Sequence, residues 1–143
     1  MITMQEIIKD GTKLETMSPE IQANLLKLLD KLNLLRKIYN KPMIISSGLR
    51  SMEDHLRIYK SKGITDPKRI PMKSNHLFGL AVDIYDPKQE FQKWIMENLE
   101  VLESLDLYLE DFKYTPTWCH IQIVAPSSKK RFFIPWKYVK NAS

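Results

Sequence analysis

Ten residues, Ser74-Asn75-His76-Leu77-Phe78-Gly79-Leu80-Ala81-Val82-Asp83, limit what this chain can fold into more than any other stretch. His76 and Asp83 can both ligate a metal. Between them Leu77, Phe78, Leu80, Ala81 and Val82 are apolar, and Gly79 alone lacks a side chain. Asp83 lies inside an apolar run from Leu80 to Tyr85. A carboxylate buried there without a partner would be costly, and a cation beside it removes that cost. The spacing predicts a loop carrying His76, a bend at Gly79, and a buried strand that aims Asp83 at His76.

The rest of the chain reads as a frame for this segment. Ile2 to Leu14 is short and mixed, a small helix or an arm. Ser18-Pro19-Glu20 has the form of a helix start, with Ser18 as N-cap. Ile21, Leu25, Leu28, Leu29, Leu32 and Leu35 then recur at helical spacing to about Tyr39, giving a scaffold helix over about 18–39. Asn40-Lys41-Pro42 breaks it. Met43 to Ser47 reads as a buried strand, and Arg50 stands at a strand-to-helix corner. Ser51 to Asp54 resembles a capping box, opening a helix to about Lys62, with Gly63 as a stop. Ile64 to Lys73 is expected to be a surface loop walling a cleft.

Asp86-Pro87 predicts a second amphipathic helix, through Phe91, Trp94, Ile95, Leu99 and Leu102 to about Leu105. Leu107 to Leu109 suits a short strand and Glu110 to Pro116 a loop. From Trp118 to Val124 the residues alternate, Trp118, His120 and Gln122 against Cys119, Ile121 and Ile123. That is a strand with one polar and one core face, so His120 and Gln122 point together into a site and Cys119 into the core. Arg131 to Pro135 suits a returning strand, and Trp136 to Ser143 a tail.

With 143 residues, 43% hydrophobic and 27% charged, a single domain with its own core is expected over 1–143, its motif-bearing part spanning about 40–136. One cysteine, Cys119, excludes an internal disulfide. No apolar run is long enough for a membrane span, and the amino-terminal residues do not read as a signal peptide. The net charge of +5 suits an anionic partner such as a bacterial wall, or simply solubility. Nucleic acid ranks last among partners, since no basic-aromatic interleaving accompanies the charge.

The pattern Ser-x-His-x-x-Gly-x-Ala-x-Asp, met by Ser74, His76, Gly79, Ala81 and Asp83, resembles the zinc signature of the M15 peptidases. These include D-Ala-D-Ala carboxypeptidases and phage L-alanyl-D-glutamate endopeptidases. Ser46-Ser47-Gly48-Leu49-Arg50-Ser51 is similar to the family's Ser-Gly-Tyr-Arg-Ser segment, and Thr117-Trp118-Cys119-His120 to its last ligand strand. The resemblance implies an α+β fold, a small antiparallel sheet with helices packed on it and a zinc cleft. It implies Zn²⁺ on His76, Asp83 and His120, and it gives Arg50 an anion-binding role, beside the plainer reading of an arginine bracing its corner. Ser74 and Gln122 are the expected substrate contacts, although Ser74 would serve equally to brace the His76 loop. His55 is left as a structural or surface residue.

One position departs from the pattern. Active relatives carry an acid three residues before the third ligand, and this chain has Thr117. Glu110 and Asp111, just upstream, are the candidates to replace it as proton carriers. Some phage-borne members share a Trp-x-His-x-Gln ending. The resemblance therefore implies a peptidase of peptidoglycan stem peptides, phage-borne as an endolysin or virion component, passing from host cytoplasm to cell wall. The alternative is an impaired domain that keeps the fold as a wall-binding or virion structural part, with other virion proteins as partners.

Overall fold

The computed structural model describes residues 1–135 and Tyr138; the expected tail from Trp136 to Ser143 otherwise lies outside the described residues. Five strands, β1 (Ile44–Ser47), β2 (Ala81–Tyr85), β3 (Tyr108–Glu110), β4 (Trp118–Gln122) and β5 (Phe132–Phe133), form one sheet in the order β1-β2-β4-β3-β5. All pairings are antiparallel except β3 with β5, which is parallel. The helices are α1 (Met4–Ile7), α2 (Pro19–Tyr39), α3 (Met52–Ser61), α4 (Glu90–Glu97) and α5 (Glu100–Leu105). This is the expected α+β architecture.

One sheet face is the core. Ile45, Val82, Ile84, Leu109, Cys119 and Ile121 are buried there, in one cluster with Leu25, Leu28, Leu32 and Leu35 of α2. Helix α2 forms where the sequence places it. Ser18 Oγ accepts from Ile21 N at the start, and Asn40 closes it in the left-handed conformation at φ 58°. The amino-terminal arm is tied to α2, because Asn33 exchanges two hydrogen bonds with the backbone of Ile2. Among the described residues no helix is long and apolar enough to cross a membrane.

Four expectations need correction. Strand β1 packs only one face on the core, so Ile45 is buried but Ile44, on the opposite face with Tyr85, is 61% exposed. The single helix expected from Pro87 to Leu105 is two helices. Asn98 breaks it by donating its side-chain amide to the Trp94 carbonyl, the competition with backbone that makes asparagine a poor helix interior. The helix also starts later than the Asp86-Pro87 signal suggests, at Glu90. Asp86 still caps it, because its two carboxylate oxygens accept from Phe91 N and Gln92 N at 3.1 and 2.9 Å. Finally, the strand expected over Arg131 to Pro135 shrinks to two residues.

Asp86 is buried, so its loss would leave two buried donors unpaired. Asp86→Ala is expected to lower unfolding free energy by roughly 2–4 kcal/mol, and Asp86→Asn by less. Urea denaturation monitored by circular dichroism measures both.

Candidate metal centre

Three elements deliver the candidate ligands. His76 lies in a short 3₁₀ helix, Asn75–Phe78, whose first turn is capped by Ser74 Oγ accepting from His76 N. Gly79 ends that helix at φ 72°, and a Cβ there would also press to 2.8 Å from Leu25 Cγ on α2. Both constraints favour glycine. The chain then enters β2, where Asp83 faces away from the core. On β4, His120 is the direct register partner of Asp83.

Ligand atoms of His76, Asp83 and His120 lie within 4.8 Å of one another. Asp83 Oδ1 is 3.3 Å from His76 Nε2 and 3.0 Å from His120 Nδ1. The far side of each ring decides what these atoms can do. His76 Nδ1 is 2.9 Å from the Gly48 carbonyl. A carbonyl only accepts, so that nitrogen carries the hydrogen and Nε2 keeps its lone pair. His120 Nε2 is 2.9 Å from Gln122 Oε1, while Gln122 Nε2 donates to the Val124 carbonyl. Nε2 of His120 is therefore also the donor, and Nδ1 turns its lone pair inward. Two imidazole lone pairs and a carboxylate oxygen thus converge with no hydrogen between them. Such a set, in its neutral form, is completed by a proton or by a metal cation, and its N, N, O composition suits a metal ion held with an open position.

Electrostatics point the same way. Burial would push the Asp83 carboxyl up, but the charges and hydrogen bonds of His76 and His120 outweigh it and hold it well below the usual range. For His120, burial pushes down, yet the Glu110 carboxylate and then Asp83 raise it to about 9. A metal-free site therefore takes up a proton at His120 in place of a dication.

The family model described as Peptidase M15 matches residues 1–121, a span that holds all three of these residues. The chain belongs to the peptidase M15 family. No curated protein and no solved structure matches it.

Beyond these three residues, the other expected site residues separate. Arg50 reaches the centre, with Nη2 3.7 Å from Asp83 Oδ2. Its Nε donates to Ser47 Oγ at 3.1 Å and its backbone N–H to the His76 carbonyl. Glu110, expected in a loop, is the last residue of β3 and points at the site because β3 pairs with β4. Its carboxylate is 3.8 Å from His120 Nδ1 and lines the cleft. Asp111 is not brought in. It caps the turn at Phe112–Tyr114 by accepting from Lys113 N, and it does not line the cleft. Gln122, expected as a substrate contact, lines the cleft, and its amide holds His120 on one side and the Val124 carbonyl on the other. Ser74 caps His76 and also lines the cleft, so both of its roles stand. Thr117 lines the cleft with a hydroxyl where the acid was expected.

Some contributors were not foreseen. His55 is fully buried. Its Nε2 donates to the Pro71 carbonyl at 3.0 Å, leaving Nδ1 3.5 Å from Arg50 Nη1. The Gly48 carbonyl fixes the His76 tautomer, and Gly48 must stay a glycine because a Cβ would run into the Ile7 carbonyl. Backbone acceptors leave no mark in a sequence. The Ile64 to Lys73 loop does wall the cleft, with Lys68, Ile70, Pro71, Met72 and Lys73 among its lining. The whole cleft holds about 830 Å³, enough for several residues of a peptide.

Metal uptake must displace the His120 proton. Titration calorimetry of zinc into metal-free chain at pH 7, in buffers of differing ionisation enthalpy, is expected to show release of about one proton. Apparent affinity should rise about tenfold per pH unit below pH 9 and level off above it, since His120 is already unprotonated there.

Proposed function

We propose that the chain is a zinc-dependent peptidase that cuts the stem peptides of peptidoglycan, carried by a phage as a lysis or virion-associated enzyme. The observation that carries the enzymatic part is the convergence of His76 Nε2, Asp83 Oδ1 and His120 Nδ1 on one point of an open cleft, with Glu110 beside it. Zinc held by those three atoms would supply an activated water and a Lewis acid for the scissile carbonyl.

The remaining roles belong to the chain. Glu110, at the rim of the ligand cluster, takes the proton from the attacking water and returns it to the departing amine. Its position on β3 supplies from a neighbouring strand what Thr117, just before β4, cannot supply. Arg50, braced by Ser47, offers a planar fork to negative charge growing on the carbonyl oxygen or to a substrate carboxylate. Gln122 and the Gly48 carbonyl keep both imidazoles in the ligating tautomer. Lys62, Lys68 and Lys73 line one wall of the cleft and favour an acidic peptide over a basic one. That preference, with the basic net charge, supports a wall stem peptide as substrate.

A second reading is favoured by one residue, Thr117, whose hydroxyl occupies the place of the family's acid. In that reading the domain keeps the metal and serves as a wall-binding or virion structural part.

Cleavage of purified peptidoglycan, followed by the appearance of new amine ends, separates the two. Glu110→Gln is expected to lower turnover by roughly 10²–10⁴-fold with zinc content unchanged, and Asp111→Asn to leave turnover within about twofold. Wild type that holds zinc but releases no amine ends from any wall type would favour the second reading.

A further inference from the structure

Two residues along from the metal ligands, the same sheet surface changes character. Side chains share a strand face at every second residue, so Tyr85 follows Asp83, and Trp118 precedes His120, on the side away from the core. Register pairs Tyr85 with Trp118 as it pairs Asp83 with His120, and it pairs Ile44 with Tyr85 on the other side. The result is a row of three large side chains across β1, β2 and β4, parallel to the Asp83–His120 row and roughly 7 Å from it. Ile44 is 61% and Tyr85 52% exposed. Tyr85 and Trp118 line the same cleft as the ligands. The row is not an overflow of the core, because Ile45, Ile84 and Cys119 fill the opposite face of these strands. An apolar row of exposed Ile44 and Tyr85 with half-buried Trp118, at the edge of a polar cleft, marks a binding surface.

We propose that the Ile44–Tyr85–Trp118 row is a subsite for a hexosamine ring of the glycan strand to which the stem peptide is attached. The proposal rests on the wall-peptide reading above and adds that the substrate is a glycopeptide rather than a free peptide. Neighbouring aromatic rings offer an apolar face to the C–H side of a pyranose and leave its hydroxyls to water and to polar neighbours. Ser46 and Thr117, which border the row in the cleft, suit those hydroxyls. The row is a narrow strip, whereas a stable protein partner needs about 800 Å² of each surface. Its distance from the ligands equals about two residues of extended chain, so a peptide seated over the ligands reaches the row within about two residues.

The test compares a disaccharide-tetrapeptide muropeptide with the same tetrapeptide lacking its sugars. Binding to the zinc-loaded chain is read by stopped-flow tryptophan fluorescence, before turnover, and cleavage is scored separately. Wild type is expected to bind the muropeptide about tenfold more tightly, the worth of one good aromatic contact. Tyr85→Ala should bring the two ligands to near parity, and Tyr85→Phe should keep the preference, with circular dichroism and zinc content unchanged in both. Equal affinity of wild type for the two ligands overturns the proposal, as does equal weakening of both by Tyr85→Ala, or binding of neither. Self-association that Tyr85→Ala abolishes also overturns it, because a second copy would then cover the row. A muropeptide bound with the expected preference but never cut would leave the subsite standing and remove the peptidase reading.

Discussion

The antiparallel pairing of β2 with β4 fixes almost everything that matters in this molecule. It sets Asp83 opposite His120, and by the same period of two it sets Val82, Ile84, Cys119 and Ile121 into the core. A slip of one residue would drive both ligands into the apolar layer and turn the core residues outward. The ligands and the core therefore specify the same register. His76 joins from outside the sheet, placed by a capped 3₁₀ turn and a left-handed glycine packed on Leu25. Arg50 is tied to that turn through the His76 carbonyl.

The centre also shows how a buried carboxylate is made tolerable. Asp83 is surrounded by two imidazoles and a guanidinium, and each imidazole is held from behind by an acceptor that dictates its tautomer. The outer acceptors are a backbone carbonyl and a side-chain amide that is itself anchored to backbone. None of these partners titrates near neutrality, so the ligand geometry is insensitive to pH except through the ligands themselves. Glu110 stands apart from this frame. It approaches His120 only at 3.8 Å and faces the cleft.

Much of this was legible in the residues. The Ser18-Pro19 start, the α2 stripe and the alternation from Trp118 to Ile123 are strong local signals, and each became the expected element. His76 and Asp83 stood out as polar residues around an apolar run, whereas His120 as their partner came from the M15 resemblance. What failed was non-local. Nothing near Ile44 says that its strand packs only one face on the core. The break at Asn98 depends on a side chain competing for a carbonyl within an otherwise regular helical pattern. Glu110 and Asp111 are equivalent in sequence, and only the pairing of β3 with β4 turns one toward the site while a local cap occupies the other. The outer partner of His76 is a backbone oxygen 28 positions away, and no residue identity encodes it.

The most direct test is zinc K-edge X-ray absorption on the purified chain after zinc loading and dialysis. The account predicts one zinc per chain in a shell of two imidazoles with oxygen donors and no sulfur, because Cys119 lies on the core face of β4. Failure to retain zinc, or a sulfur scatterer in the shell, would contradict it, since either result would mean that His76, Asp83 and His120 do not form the metal centre.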